Sequence, residues 1–152
     1  LLLVMLKTIL AISGKPGLFR MVSRGNKMLI VETLDENRKR MPAYGTDKVV
    51  SLADISIYTE NDDEISLASV FDSIKKNYNG AAVDMSPKKA SNEDMIAFFE
   101  KVLPEYDRDR VRVSDMRKVL SWYNILIAAG VTEFVPEEKE TAESAEETEK
   151  AE

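Results

Sequence analysis

The chain has 152 residues, of which 44% are hydrophobic and 32% are charged, and it contains neither cysteine nor histidine. This balance is ordinary for a globular protein of one domain or two very small ones. Without those two residue types there is no disulfide framework, no zinc–thiolate site and no imidazole base. We therefore expect a protein that is not an enzyme and that holds no cofactor and no metal.

Residues 1–12 form an apolar run that Lys7 interrupts. A membrane span needs about 20 apolar residues, so the run is too short to cross a bilayer. No basic segment precedes it, as a secretory signal would require. We expect Met5 to be the natural start, residues 1–4 to be upstream sequence, and the protein to be cytoplasmic without membrane contact.

Charge is unevenly distributed along the chain. Residues 136–152 contain eight Glu and two Lys, so this segment alone has a net charge of −6, which equals the net charge of the whole chain. It has no aromatic residue and no apolar period, and it cannot bury enough surface to offset its ordering entropy. The sequence therefore predicts a disordered acidic tail. Residues 1–60, in contrast, hold nine Lys/Arg against six Asp/Glu.

Residues 14–59 carry the turn signals and short alternating runs that are typical of β-strands. Gly14-Lys15-Pro16-Gly17 is interpreted as a turn, because its flanks are strand-like and a phosphate loop would open a helix. Pro42 cannot donate to a strand ladder, which predicts an edge strand around it. Strands are expected at 18–23, 28–34, 38–44, 49–50 and 55–58, with a single helical turn at 51–54. A small barrel would hide the edges of so many short strands.

After Thr59 the apolar period changes from 2 to 3.6, which indicates helices. One helix is expected over 66–77; Ser91 and Ser114 are expected to cap two more, and Gly130 to stop the last. The predicted fold class is α+β, a small β-barrel followed by a small helical domain and a disordered acidic tail. The predicted divisions are 5–60 (barrel), 61–90 (helix and linker), 91–135 (helical domain) and 136–152 (tail).

Part of this prediction comes from a resemblance. The chain resembles an uncharacterised family of small Bacteroidetes proteins over about residues 5–134. The segments that carry it are 12–18, 28–35, 38–45, 49–59, 103–111 and 115–126, the last with its Ser-Trp-Tyr-Asn core. The resemblance implies an N-terminal SH3-like β module followed by a small helical domain. It implies no functional residues.

Two further motifs have competing interpretations. Residues 107–110 (Asp-Arg-Asp-Arg) lack the glycine and closing glutamate of a calcium loop, so local ion pairs are expected instead. Trp122-Tyr123-Asn124 is either a recognition surface or part of the core. Helical spacing with the apolar residues before it favours the core.

The candidate binding surface is basic and lies in the first module, with exposed aromatic residues between the charges. Lysine and arginine there would neutralise phosphates, and an aromatic side chain would stack a base or hold a proline. The alternative is that residues 38–40 protect an edge strand, since the charge surplus is small for a nucleic-acid site. The candidate residues are Arg20, Arg24, Lys27, Arg38, Lys39, Arg40, Tyr44 and Lys48.

From these features we expect a non-enzymatic cytoplasmic adaptor that binds another protein. The alternative is an RNA- or ribosome-associated protein that uses the same basic loops.

Overall fold

The structure is a computed structural model that describes residues 6–132 and 134. The expected start at Met5 and the expected tail 136–152 lie outside these residues. The described part of the chain forms seven strands and three helices, with single turns of 3-10 helix at Leu6–Thr8, Leu52–Asp54 and Glu60–Asp62. The elements are β1 (Ile9–Ile12), β2 (Phe19–Gly25), β3 (Met28–Thr33), β4 (Arg40–Tyr44), β5 (Val49–Ser51), β6 (Ser56–Tyr58), β7 (Glu64–Ser66), α1 (Leu67–Asn77), α2 (Asn92–Val102) and α3 (Val113–Ala128).

The first five strands form an antiparallel sheet in the order β4-β3-β2-β1-β5. Pro42 lies in β4 opposite Ile30, and β4 is an edge of the sheet, so the predicted edge strand is confirmed. Strand β6 was expected to belong to the barrel, but this is wrong. It pairs with β7 in a separate two-stranded sheet, because β7 follows within a few residues and offers a local partner.

The sheet is curled but is not a closed barrel, so the closed SH3-like barrel is not confirmed. In the part of the chain that the structure describes, β4 and β5 are edges and do not pair with each other. Strand β5 has three residues and β4 contains Pro42, so each offers few groups for a closing ladder. Met41 of β4 and Val49 of β5 nevertheless pack on the same cluster. That cluster consists of Leu10, Ile12, Phe19, Val31 and Ala43.

The opposite face of the sheet packs on the helices in one larger core. Successive side chains of a strand point to opposite faces, which sends Ile9 of β1 towards the helices. Leu18, just before β2, and Leu52, in the 3-10 turn after β5, point the same way. They lie in the same buried cluster as Phe71 of α1 and Leu120 of α3. The sheet and the helices therefore share a core that crosses the division expected at residue 60.

Helix capping agrees with the sequence at one of the two predicted sites, Ser91, and Ser66 caps the first helix as well. Ser66 Oγ and Ser91 Oγ accept hydrogen bonds from the first turns of α1 and α2 at 3.2 and 3.0 Å. The expected cap at Ser114 is wrong, because α3 begins at Val113. The Asp115 carboxylate accepts a hydrogen bond from the Arg112 amide at 3.0 Å, so the helix is capped at Arg112, two residues before Ser114. Gly130, with φ 85°, follows the end of α3 as predicted.

The linker 81–90 is fixed to α3 by side chains of that helix. Asn124 Oδ1 accepts from the Val83 amide at 2.8 Å, and Asn124 Nδ2 donates to the Val83 carbonyl at 3.1 Å. Tyr123 Oη donates to the Ala81 carbonyl at 2.9 Å. These bonds hold the first half of the linker alongside α3. Among helices with described positions, none is long and apolar enough to cross a membrane.

Replacing Asn124 should loosen this linker. Asn124→Ala removes two hydrogen bonds and leaves the amide of the buried Val83 without its partner. We expect the free energy of unfolding, measured in urea, to fall by about 1–3 kcal/mol. The matched control is Asn77→Ala, which removes one exposed bond to the Ser73 carbonyl and should change it by less than about 0.5 kcal/mol. Equal losses in the two variants would contradict the role of Asn124.

Candidate functional site

Two of the eight candidate residues neutralise a buried carboxylate. The strand register places Arg20 of β2 and Arg40 of β4 on either side of Glu32 in β3. Arg20 Nη2 lies 2.9 Å from Glu32 Oε1, and Arg40 Nε lies 3.2 Å from Glu32 Oε2. The Glu32 side chain is only 9% exposed. Both arginines therefore compensate a charge of the protein itself.

The same contacts shift the titration of Glu32. The hydrogen bond from Arg40 is the main cause that lowers the pKa of Glu32 below its ordinary value, and Arg20 lowers it further. Burial acts in the opposite direction on this pKa but does not reverse the shift. Glu32 therefore stays ionised in the folded protein at neutral pH.

The other candidates lie at different ends of the sheet. Arg24, Lys27 and Tyr44 line a hollow of about 430 Å³ beside the β2–β3 turn. Arg38 and Lys39 precede β4 at the opposite end of β3, where the Arg38 amide donates to Asp35 Oδ1 at 3.1 Å. Lys48 lies before β5 and lines a different, larger cavity. The structure does not bring the eight residues together on one surface.

That larger cavity is a groove of about 900 Å³ between the sheet and α3. Its walls are the loop 13–17, strand β5, the linker at Pro87 and Lys88, and residues 117–122 of α3. We call it the basic groove. Its cations are Lys15, Lys48, Lys88, Arg117 and Lys118, and its apolar side chains are Ala11, Ile12, Pro16, Val50, Ile55, Pro87 and Trp122.

In the described part of the chain, the five cations of the basic groove have no acidic partner. Its lining contains no Asp or Glu, and within residues 6–132 and 134 no carboxylate oxygen lies within 4.0 Å of the charged groups of these five side chains. Arg117 is oriented by neutral acceptors, with Nη1 2.9 Å from the Pro87 carbonyl and Nη2 2.8 Å from Asn92 Oδ1. Lys15 Nζ lies 3.9 Å from Met41 Sδ, which leaves its charge uncompensated. The groove is therefore a concentration of uncompensated positive charge.

The apolar part of the groove is centred on Trp122. This side chain is half-buried: it packs against the main core and also lines the groove. It also borders an adjoining hollow of about 260 Å³, where the Arg110 guanidinium lies 4.6 Å above the ring of Tyr58. Val50 in the groove and Tyr58 beside it are 44% and 43% exposed. The core interpretation thus holds fully for Tyr123 but only in part for Trp122.

The loop of the groove was interpreted as a turn, and the structure confirms it. The Lys15 amide donates to the Ile12 carbonyl at 3.0 Å, and Gly14 and Gly17 have φ of 82° and 81°. Only glycine adopts such angles without strain. The loop leads into β2 and not into a helix, so it is not a phosphate loop.

Sequence reasoning missed most of the groove. Lys15, Lys88, Arg117 and Lys118 were not among the candidates, although the structure places all four in the groove. One signal was available, since Lys118 and Trp122 are four residues apart on a predicted helix and therefore share a face. The remaining neighbours come from distant parts of the chain.

Residues 107–110 form the expected local ion pairs. Asp107 Oδ2 lies 3.0 Å from Arg110 Nε, and Arg108 Nη2 lies 3.2 Å from Glu100 Oε2. Asp107 Oδ1 also accepts from the amides of Asp109 and Arg110, and the first of these bonds is the main cause of its lowered pKa. Asp107, Arg108 and Arg110 are therefore engaged in ion pairs within the protein.

Glu32 should make folding stability depend on pH. Folding lowers the pKa of Glu32. The contribution of Glu32 to the free energy of unfolding is therefore fully present above the unfolded pKa of about 4.3, and it is lost as pH falls through the folded pKa. In urea unfolding between about pH 7 and about pH 3, the free energy of unfolding should fall less steeply with decreasing pH in Glu32→Gln than in the unmodified protein. The exposed control Glu36→Gln should keep the original slope. An unchanged slope in Glu32→Gln would contradict the assignment.

Two family models match the chain. The model described as Domain of unknown function (DUF5606) matches residues 6–52, and Domain of unknown function (DUF6852) matches residues 55–126. The loop 13–17 and β5 come from the first match, while Ile55 and α3 come from the second. The basic groove therefore lies where the two matched regions meet.

A solution NMR structure from Bacteroides vulgatus, determined as a structural-genomics target, is similar to the chain. The sequence identity is 55%, the TM-score is 0.72, and the match covers 86% of this chain and 92% of that one. None of the curated proteins compared with the chain matches it. The chain therefore belongs to an uncharacterised Bacteroidetes family that joins these two domains of unknown function.

Proposed function

We propose that this protein is a non-enzymatic adaptor whose basic groove binds an extended acidic segment of a partner protein. One observation carries the proposal: five cations, none with an acidic partner among the described residues, line a single groove together with an apolar floor. A groove that combines apolar side chains with charge of one sign offers a partner both a contact surface and electrostatic steering.

The cations would select the partner and speed its arrival. Complementary charge steers association and disfavours partners of the same sign. Four of the five cations are exposed lysines, and an exposed ion pair contributes only about 0.2–1 kcal/mol. Charge alone would therefore give specificity with little affinity.

The apolar floor would supply most of the affinity. Burying one aliphatic or aromatic side chain of a partner contributes about 1.5–3 kcal/mol. Trp122 presents the residue type most enriched among interface residues that dominate binding energy, and the exposed Val50 lies in the same groove. A fitting segment would therefore alternate acidic and apolar residues.

The edge of β5 favours a polypeptide over RNA. Among the strands with described positions, β5 pairs with β1 alone and is an edge of the five-stranded sheet. A peptide has backbone N–H and C=O groups that match a strand edge, which a nucleic acid lacks. Trp122 is the one aromatic side chain among the described residues of the groove, whereas single-stranded nucleic acid is usually held on several.

The proposal also covers the fold of the N-terminal sheet and the cellular compartment of the protein. We interpret the curled sheet as an SH3-like module that is left open between β4 and β5. We place the protein in the cytoplasm. Disulfides are the feature that points to an oxidising compartment, and a chain without cysteine cannot form them.

A random-peptide display selection on the full-length chain should yield acidic sequences that contain an aliphatic or aromatic residue. Binding of a selected peptide should weaken about tenfold in Lys48→Gln/Lys118→Gln, because two ion pairs together contribute about 1.4 kcal/mol. The matched control is Lys27→Gln/Lys39→Gln, which removes equal charge outside the groove and should bind normally.

A parallel selection from random RNA oligonucleotides serves as the competing arm. RNA that binds more tightly than any peptide and is lost in the groove variant would overturn the proposal in favour of the RNA alternative. Peptides that respond to the control variant and not to the groove variant would also overturn it.

A further inference from the structure

We propose that the acidic segment of this chain, residues 136–152, occupies the basic groove intramolecularly until a partner displaces it. The inference rests on the groove described for the proposed function, and it adds an internal competitor for that site. The argument uses charge, reach and the composition of the segment.

The charges of the two parts are complementary. Residues 136–152 have a net charge of −6, and residues 1–135 contain 19 basic and 19 acidic side chains. The groove gathers five of those basic side chains without an acidic neighbour within ion-pair distance in the described chain. The acidic segment is therefore attracted to this groove more than to the ion-paired parts of the surface, such as the Arg20–Glu32–Arg40 row.

The segment begins two residues after a buried residue that packs against α3. Phe134 is buried, and its ring centroid lies 5.3 Å from that of Phe71 and 6.0 Å from that of Tyr123. Tyr123 follows Trp122 directly on α3, the helix that forms one wall of the groove. A chain of 17 residues spans up to about 60 Å when extended, several times the diameter of a helix, about 10–12 Å.

Tethering makes a weak contact sufficient. A short flexible linker gives an effective concentration in the millimolar range. A free peptide that bound with a millimolar Kd would therefore fill the groove about half of the time once it was attached. The contact requires no fixed fold of the segment, which agrees with its predicted disorder.

The segment can form ion pairs with the cations of the groove but cannot cover its apolar floor. Its apolar residues are only Pro136, Ala142, Ala145 and Ala151. None of them offers the large side chain that would pack on Trp122 or Val50. A partner that combines acidic and large apolar residues would therefore displace it, whereas a purely acidic segment would gain little. The tail would thus raise the selectivity of the groove.

Paramagnetic broadening in the full-length chain tests this inference. The chain has no cysteine, so Ser144→Cys provides a single attachment site for a nitroxide spin label. In a ¹⁵N-labelled sample at low salt, amide signals of residues 13–17, 48–50 and 117–122 should lose intensity. The loss should be reversed by reducing the label, by NaCl at about 1 M, where the Debye length is about 3 Å, and by Lys48→Gln/Lys118→Gln. Lys27→Gln/Lys39→Gln should not reverse it.

Several outcomes would overturn the inference. One is broadening that is spread evenly over the surface or that is absent from the groove. Another is broadening that appears equally when spin-labelled unenriched protein is mixed with unlabelled ¹⁵N protein, since the segment would then bind a second copy. If either is found while selected peptides still bind the groove, the inference fails and the proposed function stands. If groove broadening is found but no peptide binds, the inference stands and the proposed function fails.

Discussion

The packing of the sheet on the helices is the contact on which the rest of the structure depends. Ile9, Leu18 and Leu52 bury their side chains among those of α1 and α3, and each apolar face would otherwise be left in water. The same contact sets the distance between strand β5 and residues 117–122. Because the basic groove is the space between them, the groove, and with it the proposed binding surface, exists only while this core is intact.

Burial also decides which positive charges are free for another molecule. Glu32 is nearly enclosed by the sheet, and a buried carboxylate must be paired, so Arg20 and Arg40 are committed to it. The groove lysines face a cavity whose lining contains no carboxylate, so no ion pair within that lining engages them. A count of basic residues along the chain cannot separate these two groups, whereas the strand register and the burial of Glu32 do.

Local signals predicted the local structure well. Ser66 and Ser91 begin helices, Pro42 marks an edge strand, and the glycines of 14–17 make a turn, because each depends on a few neighbouring residues. Strand β1 was missed since a continuous apolar run has no period of two. Closure of the sheet and the groove were not predictable in this way. Both depend on elements far apart in the chain, such as Lys15 and Trp122, coming together in the fold.

The central claim, that the basic groove is the binding surface, has a built-in reporter, because Trp122 is the sole tryptophan of the chain and lines the groove. The most direct measurement is its fluorescence during titration with a synthetic peptide that alternates Glu and Leu, with a Lys and Leu peptide of equal length as the control. The account predicts a saturable change with the acidic peptide and none with the basic one. Binding of the acidic peptide without any change in Trp122 emission would contradict it.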